Sequence, residues 1–358
     1  MFSLIKPRVL HKCLKILRLS FVDFSSLPDI RNLNVVRTVE KTIEKNTSIF
    51  IESPIHVKVQ PIDVNDIQAH DKLLMVLYSR GKDTNDLQVK QTSKRLELVN
   101  KNCSSDRNDV CLIKVPYHLN VQVSASDHAT VELSKLESEE ILVKSEKGMI
   151  SVGDLKAQNL KVESLEGEII TEGKLTAATI DLKTGGNAGI RCNSVMANNF
   201  SVTTHAGPIV IQSCYSDQTH LTTLMGDISL NHMHRNVNID VIQKSNLIIK
   251  SFAGCLKATI KSGDVFIVAS ELTDKSSIFI HEKGKVELLI PDILKNLPAT
   301  NLIAEKIEVD DKVMKLGRLM DDTQPKRFRF EKEPQNELHI NCKNGSISVK
   351  ETDLPFMV

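Results

Sequence analysis

The chain has 358 residues, a formal net charge of +1 at pH 7 and 25% charged residues, so no bulk electrostatic attraction draws it to nucleic acid or to an anionic membrane. Aromatic residues make up only 4% and Trp is absent, which weighs against the stacking platforms that single-stranded nucleic acids and sugars use. No apolar run approaches the roughly 18 residues that a membrane-crossing helix needs. The composition favours a core of stacked aliphatic side chains.

The first 30 residues have the composition of a targeting leader. No acidic residue precedes Asp23, and Lys and Arg alternate with apolar residues between Val9 and Phe21. A basic amphipathic helix of this kind is typical of a mitochondrial transit peptide, whereas a secretory signal would need an unbroken apolar stretch. We therefore predict a leader over residues 1–30 and a mitochondrial location. A plain surface helix in a cytoplasmic protein is the alternative.

Residues 48–133 contain short alternating strands without a fixed period. Ile55-His-Val57, Leu87-Gln-Val89 and Cys111-Leu-Ile113 are examples, and polar loops join them. The open end of a repeat array exposes unpaired backbone groups and needs a cap. The sequence therefore predicts an antiparallel β N-terminal cap over residues 48–133.

Residues 134–309 repeat themselves about every 20 residues, a spacing typical of stacked coils. The clearest alignment places Leu155-Lys-Ala157, Leu175-Thr-Ala177 and Val195-Met-Ala197 in register. Between the turns, apolar and polar residues alternate as they do in strands. Each turn ends in a Gly with Ile or Val one or two places later, and these glycines are Gly148, Gly167, Gly189, Gly207, Gly226, Gly263 and Gly284.

This repeat predicts an all-β fold, a parallel β-helix or β-solenoid with coils of about 20 residues. Each coil is too small to bury its own apolar face and must pack on its neighbours. A leucine-rich repeat has a similar period, but the Gly turns and the alternation on both sides of them argue against its helical half. The β-helix would stack Ala157, Ala177 and Ala197 at one corner, with Asn159, Thr179 and Asn199 as a polar ladder or a solvent-facing turn.

Residues 310–358 break the repeat and predict a charged insert followed by C-terminal capping strands. Phe328-Arg-Phe330, Leu338-His-Ile340 and Ile347-Ser-Val349 alternate as strands do. Asn344-Gly345 predicts a hairpin turn between the last two. The basic run over residues 325–330 alternates charge with Phe, which favours one solvated face of a cap strand over an RNA contact.

The stretch Val115-Pro-Tyr-His-Leu119, followed by Gly-x-Ile coils, carries a family resemblance. It is similar to the "putative adhesin" β-helix family of domains of unknown function, in which a Val-Pro-x-x-Leu strand precedes repeated Gly-x-Ile-x-Val turns. The similar part runs from about Ile49 to Leu289. The whole chain, leader included, also resembles an animal protein of the "family with sequence similarity" series. The resemblance implies a β-helix without an assigned activity and carries over no catalytic or binding residue.

The histidines form the cluster that most suggests a metal site. His232-Met-His234 would place two imidazoles on one strand face, with His220 about half a coil earlier and His205 one coil before it. Neutral imidazoles so placed bind Zn²⁺ or Cu²⁺. Because no fourth ligand has clear spacing, solvated turn histidines are the favoured interpretation. We predict no cofactor and keep His220, His232 and His234 as metal candidates.

Other catalytic patterns are weaker. Asp154, Asp181, Asp227 and Asp264 occupy different places in the repeat, so they imply no carboxylate pair at the roughly 5 to 9 Å that glycoside cleavage requires. The seven cysteines lack C-x-x-C spacing and indicate free thiols. The sequence contains no Ser nucleophile elbow, P-loop or dinucleotide fingerprint.

These features predict a non-enzymatic β-solenoid scaffold that offers a long side wall to a protein partner and does not bind nucleic acid. One alternative is a glycan-binding or glycan-cleaving β-helix, which would need aromatic stacking residues and paired acids. The other is a metal-dependent enzyme centred on the three histidines.

Overall fold

The computed structural model describes residues 27–44, 47–63, 71–80, 87–92, 95–100, 108–320, 324–332 and 336–353. The predicted leader helix from Val9 to Phe21 lies outside these residues. Near the start of the described residues lies a 3₁₀ turn, Ile30–Asn32. The Asp29 carboxylate caps it by accepting the backbone N–H of Arg31.

Strands make up nearly all of the regular structure. The N-terminal strands are β1 (Asn34–Thr42), β2 (Ser48–Ser53), β3 (His56–Pro61), β4 (Lys72–Ser79), β5 (Leu87–Gln91), β6 (Arg95–Asn100), β7 (Val110–Val115), β8 (Asn120–Ala125) and β9 (Val131–Leu133). The central strands are β10 (Leu136–Ser145), β11 (Ile150–Val152), β12 (Leu155–Ser164), β13 (Ile169–Thr184), β14 (Ile190–Thr204), β15 (Ile209–Cys214), β16 (Gln218–Thr223), β17 (Ile228–Lys244), β18 (Leu247–Ser262), β19 (Val265–Leu272), β20 (Lys275–Ile280) and β21 (Lys285–Ile290). The C-terminal strands are β22 (Ala299–Val309), β23 (Arg318–Met320), β24 (Lys326–Phe330) and β25 (Glu337–Glu351).

Two four-residue helices, α1 (Ile293–Asn296) and α2 (Asp311–Met314), accompany these strands in the described residues. Neither helix, nor any other in that part of the chain, has the length and apolar character that crossing a bilayer requires. The pairing between coils is parallel from β8 to β21. The predicted all-β parallel β-helix is confirmed, and the helical half of a leucine-rich repeat is not found among the described residues.

Each coil follows three short walls. In the coil that starts at Ile190, wall A is Ile190–Cys192, wall B is Val195–Ala197 and wall C is Phe200–Thr204, and a polar turn then leads to the next coil. Side chains alternate between the inside and the outside because successive Cβ atoms of a strand point to opposite faces. The inward side chains form one apolar core that runs the length of the solenoid.

The predicted register of the repeat is confirmed at the corner between walls B and C. Ala157 pairs with Ala177, and Ala177 with Ala197, so the three alanines form one stack. Asn159, Thr179 and Asn199 pair in the same way and are exposed, and the ladder continues to Gln218 and Asn236.

The repeated glycines are required by the spacing between coils. A Cβ on Gly167 would lie 2.0 Å from the carbonyl oxygen of Gly148, and one on Gly226 would lie 1.9 Å from that of Gly207. Buried hydroxyls stand beside this glycine column: Ser164 Oγ and Thr223 Oγ1 each accept the N–H of the glycine three residues later, at 2.8 Å. Glycine at these positions lets the backbones approach this closely, while Ala188 takes the equivalent place in the coil between Gly167 and Gly207, and the predicted turn glycine Gly189 follows it.

The N-terminal region differs from the antiparallel cap predicted for residues 48–133. Strands β2 and β3 pair in parallel with β8 and β9 on one side and with β6 and β7 on the other. They therefore form a true coil, because their inward residues, such as Ile51 and Val57, continue the alternation of the neighbouring coils. Antiparallel pairing in the described residues of this region is limited to β1 with β4, β4 with β7 and β5 with β6.

The C-terminal region also differs from the prediction. Strand β25 runs without a hairpin and pairs in parallel with β20 and β21 on one side and with β22 on the other. The predicted turn at Asn344-Gly345 is wrong as a hairpin because Gly345 joins the glycine column, where its Cβ would lie 2.0 Å from the oxygen of Gly284. Strands β24 and β23 close this end with antiparallel pairing, and Phe328 and Phe330 point inward as predicted.

Candidate functional site

The three candidate metal ligands lie on two different walls. His232 and His234 flank the buried Met233 on β17 and both point outward from wall B, as predicted. His220 lies on β16 in wall C, where its Nδ1 is 3.4 Å from Nδ2 of Asn238. The chain turns the corner between walls B and C before it reaches His220, so the predicted three-histidine group is not assembled.

His205, the fourth histidine of this part of the sequence, is exposed in the turn after wall C. Among the residues that the structure describes, no three His, Cys, Asp or Glu side chains come together in a way that could hold a metal ion. His220, His232 and His234 therefore do not share one metal-binding position in the described structure.

Three of the four candidate carboxylates link neighbouring coils, and the fourth, Asp181, forms an ion pair within its own strand. Asp154 Oδ1 accepts the N–H of Lys174 at 2.9 Å, and Asp227 Oδ1 accepts that of Asn246 at 2.8 Å. Asp264 Oδ1 accepts the N–H of Lys285 at 3.0 Å, and Asp181 pairs with Lys183 at 2.9 Å. These contacts hold turns and strands in place.

The described cysteines are free and buried, namely Cys111, Cys192, Cys214, Cys255 and Cys342. Burial raises the pKa of Cys111 and of Cys192 to about 12. Because the thiolate is the reactive form of cysteine, these two side chains act as core residues. Cys13 and Cys103 lie outside the described residues.

The most distinctive outer feature is a row of large side chains on wall B, which we call the ridge: Met196, Tyr215 and His234. Met196 is 43% exposed and Tyr215 is 48% exposed. Each follows an inward residue of wall B in one of three consecutive coils. The ring centroids of Tyr215 and His234 are 4.6 Å apart with an interplanar angle of 13°.

The ring geometry shows how the ridge is built. Adjacent strands are about 4.8 Å apart, which matches the distance between the two rings. Parallel rings this close overlap face to face with an offset, so they stack along the solenoid axis. Tyr215 has His234 on one side and the coil of Met196 on the other, and the ridge therefore presents ring edges and polar tips to solvent.

The electrostatic surroundings favour a neutral ridge. Burial lowers the pKa of His234, and the neighbouring charge of His232 acts in the same direction. Asp217 and Arg235 form an ion pair at the corner next to the two rings. Asn236 donates from Nδ2 to the carbonyl oxygen of Asp217 at 3.1 Å. This hydrogen bond joins the coil of His234 to the coil of Tyr215 beside the ridge.

Sequence reasoning found His232 and His234 but missed Met196 and Tyr215. The available signal was the repeat itself, because residues 196, 215 and 234 are equally spaced. The three residue types differ, so no motif of one chemistry marks this spacing as a single surface.

Comparison with known proteins finds a family model that matches part of the chain. Residues 46–193 match the family model described as Toastrack DUF4097. This match supports the predicted resemblance to the adhesin-type β-helix family over those residues.

Three of the solved structures that the chain matches come from bacteria. A "putative adhesin" from Parabacteroides merdae is 11% identical, with 70% of this chain and 95% of that chain covered and a TM-score of 0.45. A "putative adhesin" from Bacteroides fragilis is 14% identical, with coverages of 63% and 96% and a TM-score of 0.32. A "putative lipid binding protein" from Parabacteroides distasonis is 13% identical, with coverages of 87% and 96% and a TM-score of 0.33.

Proposed function

We propose that the protein is a non-enzymatic β-solenoid scaffold that binds a protein partner through the ridge. The observation that carries this proposal is the exposure of Met196 and Tyr215 in adjacent coils. Their backbone is held in a continuous parallel ladder, so the side chains lose little further freedom on binding. Met and Tyr are enriched at protein interfaces, where they bury a large area.

The ridge suits a protein better than a glycan. Sugar rings stack on the open face of an aromatic ring, but Tyr215 already uses ring-face contact in its stack with His234. The other exposed tyrosine, Tyr117, has only a tilted contact with His118, at 6.5 Å and 55°. A glycan-cleaving site would also need two carboxylates facing one substrate, whereas Asp154 and Asp227 accept backbone N–H groups.

A mitochondrial location is the second part of the proposal, and it is supported by the basic amphipathic pattern of the sequence within residues 1–30. Its test is the N-terminus of the mature protein, read by mass spectrometry from the cells that make it. A cleaved leader together with mitochondrial neighbours is the expected result. An intact N-terminus among cytosolic neighbours would overturn the location and leave the scaffold proposal standing.

The partner is tested by proximity labelling with two matched variants. Tyr215→Ser should remove a reproducible subset of labelled neighbours, because it removes the centre of the ridge. Tyr117→Ser is the control, since Tyr117 is 39% exposed and lies outside the ridge. If both variants keep all neighbours, or both lose the same ones, the ridge is not the binding surface. Equal melting temperatures would show that the variants differ in binding alone.

A further inference from the structure

A notch interrupts the edge of the solenoid where wall C turns into wall A. Between the inward residues Val241 and Leu247 the turn comprises residues 242–246, and between Ile280 and Val286 it comprises residues 281–285. The coil between them turns over residues 261–264 alone. Because the middle turn is one residue shorter than its neighbours, it is recessed and a groove opens between them.

The groove has a volume of ≈ 550 Å³. Asp240 and Ile242 line one side, and His281 and Glu282 line the other. Thr259 and Lys261 lie between them on the recessed coil. The notch is therefore a small concave surface of mixed chemistry. It combines the apolar side chain of Ile242, the hydroxyl of Thr259, the carboxylates of Asp240 and Glu282, and the basic side chains of Lys261 and His281.

The charges within the notch are unequally balanced. Lys261 Nζ is 3.6 Å from Glu282 Oε1, so these two groups offset each other. Asp240 is exposed and forms no ion pair with any of the described residues. Its ladder neighbours, Thr222 and Thr259, are neutral. A cation that enters the notch thus meets, on the side of Asp240, a carboxylate that is in no ion pair among the described residues, although Lys244 follows in the same turn.

An apolar rim leads along the same edge into the notch. Ile242 is 56% exposed, and Met225, in the turn of the preceding coil, is 45% exposed. Hydrogen bonds between successive turns hold this edge: Gln243 N–H donates to the Leu224 carbonyl at 2.9 Å, and Met225 N–H to that of His205 at 3.0 Å. The rim is therefore a fixed part of the coil stack, with Ile242 shared between rim and notch.

We propose that the rim and the notch together bind an extended segment of a partner protein in which an apolar residue precedes Arg or Lys. The apolar side chain would pack on Ile242 and Met225. The long aliphatic stem of the basic residue would cover apolar surface while its head reaches Asp240. Charge complementarity favours this occupant over an acidic segment, because Lys261 is already paired with Glu282. Walls A and C separate this surface from the ridge, so it is a second docking site.

The experiment uses three probe dipeptides, Ac-Leu-Arg-NH₂, Ac-Leu-Gln-NH₂ and Ac-Leu-Glu-NH₂, titrated into the full chain with labelled isoleucine methyl groups. The Arg probe should shift the Ile242 methyl resonance with a dissociation constant in the millimolar range, as expected for one small contact surface. The Gln probe should bind about two- to fivefold more weakly, and the Glu probe more weakly still. Salt at about 1 M should remove the advantage of the Arg probe.

Two variants make the test specific. Asp240→Asn should reduce binding of the Arg probe to that of the Gln probe. Glu271→Gln, which changes an exposed carboxylate elsewhere, should leave it unchanged. The proposal is overturned if no probe shifts Ile242, if the Glu probe binds as well as the Arg probe, or if Asp240→Asn has no effect. Because the ridge takes no part in these measurements, their failure would leave the proposed scaffold function untouched.

Discussion

The central coils and the two ends of the solenoid are assembled on different principles. In the centre, each coil stacks on the coil that precedes it in the sequence, as β12 does on β10, β13 on β12 and β14 on β13. At each end, one coil is inserted between two that are neighbours in the sequence. The β2–β3 coil lies between β8–β9 and β6–β7, and β25 lies between β20–β21 and β22.

This difference separates local from distant contacts. A central coil depends on its nearest neighbours alone, as in other repeat proteins. An inserted strand closes the stack by pairing on both sides with distant segments, and its loss would leave two open sheet edges. We infer that the centre provides most of the length of the solenoid and that the inserted strands provide its closure.

The largest expected effect contrasts a deletion at the end with one in the centre. Ending the chain at Asn336 removes β25 and exposes the facing edges of β20, β21 and β22, so we expect aggregation and loss of cooperative unfolding. Deleting residues 209–227 removes one whole coil and joins Pro208 to Ile228, which occupies the same register position as Ile209. That protein should fold.

Circular dichroism, size-exclusion chromatography and thermal melting would measure this contrast. The coil deletion places Phe200 against Val237 in place of Thr219, and such overpacking costs about 1–3 kcal/mol. If the truncated chain stays soluble and melts like the full chain, the inserted strand does not close the stack.

A buried charge in the centre has the next largest effect. Ile169 is fully buried in wall A, and Ile169→Asp should cost about 4 kcal/mol or more because the carboxylate finds no partner in the apolar core. Lys161 is exposed and pairs with Glu163 at 2.9 Å, so Lys161→Asp should cost far less than Ile169→Asp, because exposed ion pairs contribute little to stability. Denaturant unfolding of both variants checks the assignment of inside and outside. Equal losses would show that this assignment is wrong.

The glycine column offers a test that is shared by both regions. Gly226→Ala in the centre and Gly345→Ala at the end place a Cβ 1.9 Å and 2.0 Å from a carbonyl oxygen of the adjacent coil. Each should cost about 2–4 kcal/mol, since the backbone must move apart. Gly153→Ala is the matched control, because its nearest heavy atom is a side-chain carbon at 3.3 Å. A much smaller loss at Gly345 would show that the inserted strand packs more loosely than the centre.

The repeat made the structure of the central coils predictable, but it did not predict the strand order at the two ends. Ala157, Ala177 and Ala197 align by sequence spacing alone, and the structure pairs them in that register. The position of β25 depends on contacts between residues far apart in the chain, which no local pattern contains. One signal was nevertheless present: Gly345-Ser-Ile347-Ser-Val349 has the same Gly-x-Ile pattern as the central turns, and the preceding Asn led to the hairpin interpretation.

The candidate site was less predictable than the fold. Alternation along the strand placed His232 and His234 outward, as found. It did not show that His220 lies around a corner, because Ser216 stands in that coil where the preceding coils have the corner alanines. The stack of Tyr215 on His234 and the recessed turn at residues 261–264 depend on how neighbouring coils align, so they became visible only in three dimensions.

The smallest expected effect is a pH dependence that compares a histidine of the centre with one of the inserted strand. Burial lowers the pKa of His234, with a further contribution from His232, and burial alone lowers that of His339 on β25. As the pH falls below the unfolded value of about 6.5, the unfolded chain takes up these protons first. Protonation therefore favours the unfolded chain, and the free energy of unfolding decreases as the pH falls from about 6.5 toward the lower pKa of each folded histidine.

His234→Asn and His339→Asn should each lessen the fall in melting temperature between about pH 7.5 and about pH 5.5, and by a small amount because both rings are partly solvated. Amide exchange distinguishes the two regions. At the lower pH, His339→Asn should slow exchange along β25, where the end opens first, whereas His234→Asn should leave β25 unchanged because each coil interacts chiefly with its neighbours. If His234→Asn also protects β25, the end and the centre unfold as one cooperative unit and the distinction between them does not extend to their dynamics.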